Sequence, residues 1–326
     1  MNLPKVENLD FQGKRVLLRA DLDVNIARDD SERLKILIPT LRLLSEKASK
    51  IIVMGHRGRP EGKEVKELSL KPISDLLEKL LIQEMGKEKV DKIDMYMMEN
   101  LRFNKGEEEN DKHFAKHLAE EGDVYVNEAF AASHRKHASI VSLPKMLPSA
   151  AGIHFSQEVE NLSKVLNNPQ KPVIVIIGGA KKDKLNYIEG FKKIADKILV
   201  GGRLPDYLPE DFKDPKVLPA RLIADKEDIT VNSIDQFDQE IKKAGTIIVA
   251  GPMGKFEEEG HRLGTERVFK AITETKALKI AGGGDTQKAI SILGLKDKFD
   301  WISVGGGASL EFLIKGTLPG IEALLN

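Results

Sequence analysis

Short apolar runs alternate along the chain with longer stretches in which apolar and charged positions recur at helical spacing. Nine runs predict β-strands, over residues 15–24, 50–55, 92–99, 123–128, 172–179, 197–202, 246–251, 277–283 and 300–306. Amphipathic stretches such as 111–121, 186–197 and 287–293 predict helices between them. This alternation predicts an α/β fold with parallel sheets and right-handed crossovers. Wholly apolar runs such as 173–177 suit sheets that are covered on both faces.

A chain of 326 residues is long for a single core, so the length favours two domains. Residues 156–168 read as one solvated helix, and the prolines of the PQKP segment at 169–172 end it. We therefore predict a first domain over 1–153, an interdomain helix and linker over 154–170, and a second domain over 171–310. The closing segment, 311–326, is expected to pack back on the first domain.

Three glycine-rich turns follow strands in the second half of the chain. They are GGAK at 178–181, GGGDT at 282–286 and GGGAS at 305–309. Glycine lets backbone N–H groups approach a ligand closely, and the helix that follows points its positive end at the same place. Several such turns at one edge of a parallel sheet predict a polyphosphate site. The chain has no GxxxxGK[ST] and no GxGxxG motif.

The side chains near these turns suit the same chemistry. Lys181 and Lys184 follow the first turn, where a lysine can reach a bound phosphate. Asp285 opens a helix, so its carboxylate either caps that helix or holds the Mg²⁺ of a nucleotide. Glu257, in the GPMGKFE segment, is available for ribose hydroxyls.

The first half of the chain places cations after its strands instead. Four clusters do so, and their members include Arg33, His56, Arg59, Arg102 and Arg135. A planar guanidinium binds carboxylate or phosphate in a bidentate manner, so converging arginines suit a small phosphorylated acid. The alternative for each residue taken singly is a solvated surface cation. A chain with one half suited to a nucleotide and the other half suited to an acidic metabolite is typical of a kinase.

Composition removes several classes of function. Lys+Arg and Asp+Glu both total 51, so net charge is zero and no global field attracts nucleic acid or a membrane surface. The chain contains no cysteine, which excludes disulfides, thiolate catalysis and cysteine-ligated metals. Residues 1–16, MNLPKVENLDFQGKRV, contain no apolar run of the kind found in a secretory signal. We expect a cytoplasmic protein with small-molecule partners, no nucleic-acid or membrane partner, and a monomeric state.

Taken together, these segments resemble phosphoglycerate kinase, in order and across nearly the whole chain. The segments that carry the resemblance are KRVLLRADLDVN, RLKILIPTL, GHRGRP, MENLRFNKGEE, GDVYVNEAFAASHRKHAS, LPSAAG, GGAKKDKL, GPMGKFE, GGGDT, GGGASLEFL and LPGIEAL. The resemblance implies two Rossmann-like, three-layer domains whose parallel sheets face each other across a cleft. It also implies phosphoryl transfer between 1,3-bisphosphoglycerate and MgADP, giving 3-phosphoglycerate and MgATP.

Roles follow from the resemblance by position. It implies that the acid is bound by Asp21, Asp23, Asn25, Arg33, His56, Arg59, Arg102 and Arg135. It implies that ATP or ADP, as co-substrate, is bound by Gly179, Lys181, Lys184, Pro252, Glu257, Gly283, Gly284, Asp285 and Thr286, with Asp285 also serving Mg²⁺. Arg33, Lys181 and Gly306 would be catalytic, acting on the phosphoryl group in transfer.

The chain also departs from the family pattern. Asp23 stands where the family usually has Asn, Arg57 where it has Leu, and Ala250 where it has Asn. The stretch 203–250 is shorter than in family members and is expected to lack the helix after the GG pair and part of the purine pocket. We therefore expect relaxed discrimination between ADP and GDP. The alternatives are a non-catalytic relative that binds an anionic metabolite, and a kinase for a different carboxylate with an acid site reshaped by Asp23 and Arg57.

Overall fold

The computed structural model describes residues 2–25 and 32–325 of the chain. Its internal contacts divide the chain into two units, one made of residues up to 160 together with those from 317 onward, and one made of residues 161–316. Each unit is built on a parallel sheet. The two-domain α/β architecture predicted from the sequence is confirmed, whereas the predicted cleft between the sheets stays a prediction.

The first unit contains a five-stranded parallel sheet in the order β3-β2-β1-β4-β5. Its strands are β1 (Arg15–Arg19), β2 (Lys50–Met54), β3 (Met95–Met97), β4 (Val124–Asn127) and β5 (Ser149–Ala151). Its helices are α1 (Glu32–Lys35), α2 (Ile38–Ser45), α3 (Lys71–Met85), α4 (Lys87–Val90), α5 (Lys105–Glu108) and α6 (Lys112–Glu120), followed by the start of α7 (Ile153–Asn167). The C-terminal helix, numbered α13 (Pro319–Leu325), also belongs to this unit.

The second unit contains a six-stranded parallel sheet in the order β11-β10-β9-β6-β7-β8. Its strands are β6 (Val173–Ile177), β7 (Lys197–Val200), β8 (Val217–Pro219), β9 (Thr246–Ala250), β10 (Leu278–Gly282) and β11 (Trp301–Ser303). Its helices are α8 (Ile188–Phe191), α9 (Val231–Ile241), α10 (Leu263–Glu274), α11 (Gly284–Ile292) and α12 (Gly307–Lys315). Helix α7 runs without a break through the division between the units at residue 160.

The central strands are buried on both faces, as their apolar sequences predict. Every residue of β6 and of β9 is buried, and in β1 Val16, Leu17 and Leu18 are wholly buried. Leu17 pairs with Ile52 of β2 on one side and with Tyr125 of β4 on the other. Because all strands in a sheet run parallel, their carboxyl ends meet at one edge, where the turns carrying the candidate residues begin.

The prediction of a helix over 186–197 is mostly wrong. A 3₁₀ segment, Lys182–Tyr187, leads into the single turn of α8, and residues 192–194 form further turns. A Cβ at Gly190 would lie 2.5 Å from the Ile314 side chain, so glycine is needed where α8 packs on α12. Glycine disfavours a longer helix because it loses more backbone entropy than other residues.

Two short edge strands were not predicted. β5 is the segment Ser-Ala-Ala and β8 is the segment Val-Leu-Pro. Three residues carry too little alternation to predict a strand by themselves, and their pairing partners in the sheet determine them. Between β7 and β8 the chain forms only a 3₁₀ turn, Leu204–Tyr207, with no α-helix. This absence agrees with the predicted loss of the helix after the GG pair.

Candidate active site

A buried polar network lies at the carboxyl edge of the first sheet. Arg19, the last residue of β1, is wholly buried and lies 3.9 Å from the equally buried carboxylate of Glu107. Its Nε donates to Ser139 Oγ at 2.9 Å, and that hydroxyl donates to Glu107 Oε1 at 2.6 Å. The single buried carboxylate balances the guanidinium and fixes its orientation. Arg19 Nη1 donates to the Ala20 carbonyl, and its Nη2 faces His56.

His56 lies between two arginines. Arg19 Nη2 is 3.0 Å from its Nδ1, and Arg135 Nη1 is 3.3 Å from its Nε2. The residue is 2 % exposed, and burial, reinforced by the charges of Arg19, Arg102 and Arg135, holds the pKa of His56 well below its usual range. The imidazole is therefore neutral. A guanidinium only donates hydrogen bonds, and a neutral imidazole accepts at one nitrogen only. Because the Arg19 contact is the shorter of the two, we assign Nδ1 as the acceptor and Nε2 as the protonated nitrogen.

Arg102 is the third guanidinium of this cluster. It is 3 % exposed, its Nη1 donates to the Gly58 carbonyl at 2.6 Å, and its Nε lies 3.1 Å from the partly exposed Glu108. Burial, followed by the neighbouring charge of Arg135, lowers the pKa of Arg102. Mutual repulsion of this kind is offset when an anion binds among the cations. Three of the predicted acid-binding residues, His56, Arg102 and Arg135, are thus brought together.

Two acidic residues that follow β1 lie near Arg33. Asp21 is 4 % exposed and its carboxylate is 3.9 Å from Arg33 Nη1. The exposed Asp23 accepts a hydrogen bond from the Gly58 backbone N–H at 2.9 Å, and its carbonyl oxygen accepts from Arg33 Nη1 at 3.4 Å. Asp23 therefore fastens the 55–60 loop to the end of β1. Asn25 and Arg59 are exposed in this region.

Arg57 does not contribute to the cluster. Its Nη1 donates to the backbone carbonyls of Glu67 at 3.0 Å and Ser69 at 3.3 Å, on the segment before α3. Its guanidinium is therefore engaged in holding that segment. No contact of the described residues supports an acid site reshaped by Arg57.

Glycine backbones cross tightly at the carboxyl edge of the second sheet. The N–H of Gly178 donates to the Ala250 carbonyl at 3.2 Å, and that of Gly179 donates to the Pro252 carbonyl at 2.8 Å. A Cβ on Gly178 would lie 2.2 Å from the Pro252 oxygen, and one on Gly202 would lie 2.3 Å from the Gly179 nitrogen. Only glycine fits at these positions, which hold the turns after β6, β7 and β9 together.

Lys184 is anchored at this crossing. Its Nζ donates to the carbonyls of Gly178 at 2.8 Å and Ala250 at 3.2 Å. Burial lowers the pKa of Lys184, while the nearby carboxylate of Asp285 acts in the opposite direction. An ammonium group has three protons, so one remains to point to a ligand. Lys181, by contrast, is exposed at the start of the 3₁₀ segment.

A cavity of about 260 Å³ opens beside this crossing. Four of the residues predicted to bind nucleotide line it, namely Gly179, Pro252, Glu257 and Asp285. Glu257 also pairs with Lys288 at 2.9 Å. Further lining residues were not predicted as site residues and include Gly202, Arg203, Lys226, Glu227, Lys255 and Phe256.

The remaining predicted residues sit at the starts of two helices. Gly283 and Gly284 lead into α11, and Gly306, with a φ of +53°, precedes α12. The buried hydroxyl of Thr286 donates to the Gly282 carbonyl at 2.8 Å. That hydroxyl proton is engaged within the turn, so Thr286 has its backbone N–H to offer a phosphate.

Metal binding here would depend on a single carboxylate. Across residues 2–25 and 32–325 there is no group of three or more His, Asp or Glu side chains arranged to hold a metal ion. Asp285 is exposed, lines the cavity and lies in the first turn of α11. Mg²⁺ commonly takes one or two protein carboxylates and completes its shell with phosphate and water oxygens. The donor set therefore fits Mg²⁺ only in company with a nucleotide.

The sequence interpretation missed the network behind His56. Arg19, Glu107 and Ser139 are wholly buried polar residues that touch one another rather than solvent. One signal was available, because Arg19 closes an otherwise apolar strand, RVLLR, where a charge needs a partner. Nothing in the sequence indicated that the partners lie at 107 and 139.

The comparisons with known proteins agree with one another. The family model of phosphoglycerate kinase matches residues 6–209 and 210–316. A protein of Finegoldia magna named phosphoglycerate kinase is 35% identical, with 99% of each chain covered. Another of that name, from Dictyoglomus turgidum, is 36% identical over 97% of this chain and 96% of its own. A solved phosphoglycerate kinase structure from Coxiella burnetii superposes with a TM-score of 0.82 at 29% identity, covering 99% of both chains.

These matches also bear on the shortened segment. The Finegoldia magna alignment runs over 392 positions, more than the 326 residues of this chain, so the chain lacks segments that the relative has. The family match is interrupted between residues 209 and 210, in the connection between β7 and β8.

Among the described residues, no helix is long and apolar enough to span a membrane.

Proposed function

The chain belongs to the phosphoglycerate kinase family, and from this premise we propose how its residues perform the reaction. The enzyme transfers a phosphoryl group between 1,3-bisphosphoglycerate and ADP, giving 3-phosphoglycerate and ATP. The observation that carries the assignment of roles is the clustering of Arg102 and Arg135 around neutral His56 in one unit. The first unit accordingly takes the acid and the second takes the nucleotide.

The acid would bind between His56 and Arg135. Because Arg19 donates to Nδ1, the Nε2 of His56 carries the proton, and it lies 3.3 Å from the Arg135 donor. Two donors at that separation share an acceptor well, and a phosphate or carboxylate oxygen supplies one. Arg102, with Asp21, Asp23, Asn25 and Arg59 nearby, would complete the set.

Arg33 would act on the group in transfer. Its only paired carboxylate among the described contacts is Asp21, at the long distance of 3.9 Å, so the guanidinium is weakly held. In the transfer, the bond from phosphorus to the acid's carboxyl oxygen breaks while a bond to the ADP terminal oxygen forms. The migrating group carries negative charge on its outer oxygens, and a cation aimed at them lowers the barrier.

The nucleotide phosphates would bind at the crossed glycine turns. Gly179, Lys181 and Lys184 would meet them from one side, and the starts of α11 and α12, with Gly283, Gly284, Thr286 and Gly306, from the other. Asp285 would hold Mg²⁺, which when bound neutralises phosphate charge. Pro252 and Glu257 line the cavity where the nucleoside would lie, with Glu257 at the ribose.

A coupled assay with 3-phosphoglycerate and MgATP tests the activity directly. We expect turnover that other small carboxylates do not support, because the acid cluster is specific for a phosphorylated acid. Binding of 3-phosphoglycerate without turnover would instead support a non-catalytic relative, and turnover with a different carboxylate would support an altered acid. The monomeric state and the cytoplasmic location stay predictions, to be checked by sedimentation and by cell fractionation.

A further inference from the structure

The shortened connection after β7 is closed by two ion pairs. Arg203 Nη1 lies 3.5 Å from Glu227 Oε1, and Lys226 Nζ lies 2.6 Å from Asp206 Oδ1. Arg203 and Asp206 precede the interruption in the family match at 209/210, and Lys226 and Glu227 follow it. The two pairs, here termed the clasp, therefore join the two sides of the segment in which the chain lacks a helix.

The clasp is anchored to the turns proposed to bind phosphate. The backbone N–H of Arg203 donates to the Gly179 carbonyl at 3.0 Å, and the N–H of Lys255 donates to the Glu227 carbonyl at 2.8 Å. The backbones of Arg203 and Glu227 are thus both hydrogen-bonded to neighbouring turns. A backbone that is organised before a ligand arrives lowers the entropy lost on binding.

The clasp also forms one wall of the cavity. Arg203, Lys226 and Glu227 line it together with Gly179, Glu257 and Asp285. In the proposed function, Gly179 binds phosphate, Glu257 binds the ribose and Asp285 holds the metal. The clasp, together with Lys255 and Phe256, forms the wall that remains for the base, and Arg203 and Glu227 are among its polar groups. Its Arg203 and Glu227 side chains are 44% and 34% exposed, which leaves them accessible to a ligand.

We infer that Arg203 and Glu227 read the edge of the base and favour a 6-oxopurine nucleotide, guanine above all. This inference rests on the proposed function. A carboxylate accepts two hydrogen bonds side by side, and guanine offers N1–H and N2–H in that arrangement. A guanidinium donates two, and guanine offers O6 and N7 as acceptors. Adenine carries an amino group, a donor, where guanine carries the acceptor O6, and it has no 2-amino group. It therefore leaves hydrogen-bonding groups of Arg203 and Glu227 unsatisfied.

Relaxed discrimination between ADP and GDP, expected from the shortened segment, is the competing prediction. That expectation assumed that the missing helix leaves the base without a wall. Arg203 and Glu227 are charged groups on a wall of that cavity, and such groups discriminate when the wrong ligand leaves them unpaired.

The test compares kcat/KM for ATP, GTP and ITP with saturating 3-phosphoglycerate. We expect GTP to exceed ATP by at least about tenfold, with ITP between them because hypoxanthine keeps O6 and N1–H but lacks the amino group. In Glu227→Gln the GTP/ATP ratio should fall at least about tenfold, because an amide presents one acceptor in place of two.

Asp206→Asn is the matched control. It weakens the second pair of the clasp, and Asp206 does not line the cavity, so thermal stability should fall while the GTP/ATP ratio is retained. An ATP rate equal to or above the GTP rate would overturn the inference alone. A Glu227→Gln variant that slows both nucleotides equally would show that the pair only holds the wall. No turnover with any of the three nucleotides would overturn the proposed function and the inference together.

Discussion

Arg19 Nη2 lies 3.0 Å from His56 Nδ1, with both side chains buried. Neither guanidinium beside the ring can accept a hydrogen bond, and the Arg19 contact is shorter than the 3.3 Å contact of Arg135 with Nε2, so the tautomer that accepts at Nδ1 is favoured. We expect a neutral imidazole with a bare Nδ1 and a protonated Nε2 at pH 7. Nitrogen-15 NMR of the imidazole ring distinguishes the two nitrogens by chemical shift. The exposed His117 serves as the internal reference, and a protonated Nδ1 in His56 would contradict the assignment.

His137 should make the fold sensitive to acid. Burial, followed by the charges of Arg102 and Arg19, lowers the pKa of His137 from 6.5 to about 3. Between these values the unfolded chain binds a proton that the folded chain does not. The stabilising contribution is therefore complete above pH 6.5 and is lost as pH falls toward 3.

We expect the free energy of unfolding to rise less steeply with pH over that range in His137→Gln than in the wild type. Denaturant titrations at several pH values measure the slope. His117→Gln, the same change at an exposed histidine, should leave the slope unaltered. Parallel slopes in all three proteins would mean that His137 titrates normally.

Arg33→Ala should lower kcat far more than it raises KM for the nucleotide. A cation that interacts with the migrating phosphoryl group acts mainly in the transition state, and removing such an arginine costs about a thousandfold or more in kcat. Steady-state kinetics with 3-phosphoglycerate and MgATP check this. Arg42→Ala, at an exposed arginine of α2, is the matched control, and a kcat near wild type in Arg33→Ala would make Arg33 a surface residue.

Asp285→Asn should weaken binding of MgADP while leaving metal-free ADP much less affected. The N-cap of α11 is Gly283 and no side chain caps this helix, so the capping role considered from the sequence is wrong. A purely structural role is then limited to the charge of Asp285 at the helix N-terminus, worth about 0.3–1 kcal/mol, and its loss is the same with and without Mg²⁺. Calorimetry with Mg²⁺ and with a chelator separates the two roles. An equal loss under both conditions would exclude Asp285 as a metal ligand.

Gly202→Ala should disturb the nucleotide turns. The added Cβ would lie 2.3 Å from the Gly179 nitrogen, and the φ of +59° is strained for alanine. We expect the free energy of unfolding to fall by more than about 2 kcal/mol, with weaker ADP binding. Gly294→Ala is the matched control, since its φ is +66° and no atom lies within 4 Å of the new Cβ. Its cost should be about 1 kcal/mol, from backbone strain alone, with ADP binding retained.

The sequence by itself determined the architecture and the family. The apolar runs at β6 and β9 and the amphipathic spacing of α6 follow from local preferences and burial, which depend on neighbouring residues in the chain. The glycine turns and the cationic clusters were recognisable for the same reason, since each motif is a few consecutive residues. The edge strands and the short helix α8 were not recognisable in this way. Long-range pairing determines the edge strands, and the contact of Gly190 with Ile314 limits α8.

Only the tertiary structure decided which polar side chains meet. Arg19 finds Ser139 and Glu107 far along the chain, and Arg203 finds Glu227 across the shortened connection. The tertiary structure also places the Arg57 guanidinium against the Glu67 carbonyl, away from the acid cluster. Local sequence carries no signal for such partners, because hydrogen bonds and ion pairs act over a few ångströms in space and are indifferent to separation along the chain.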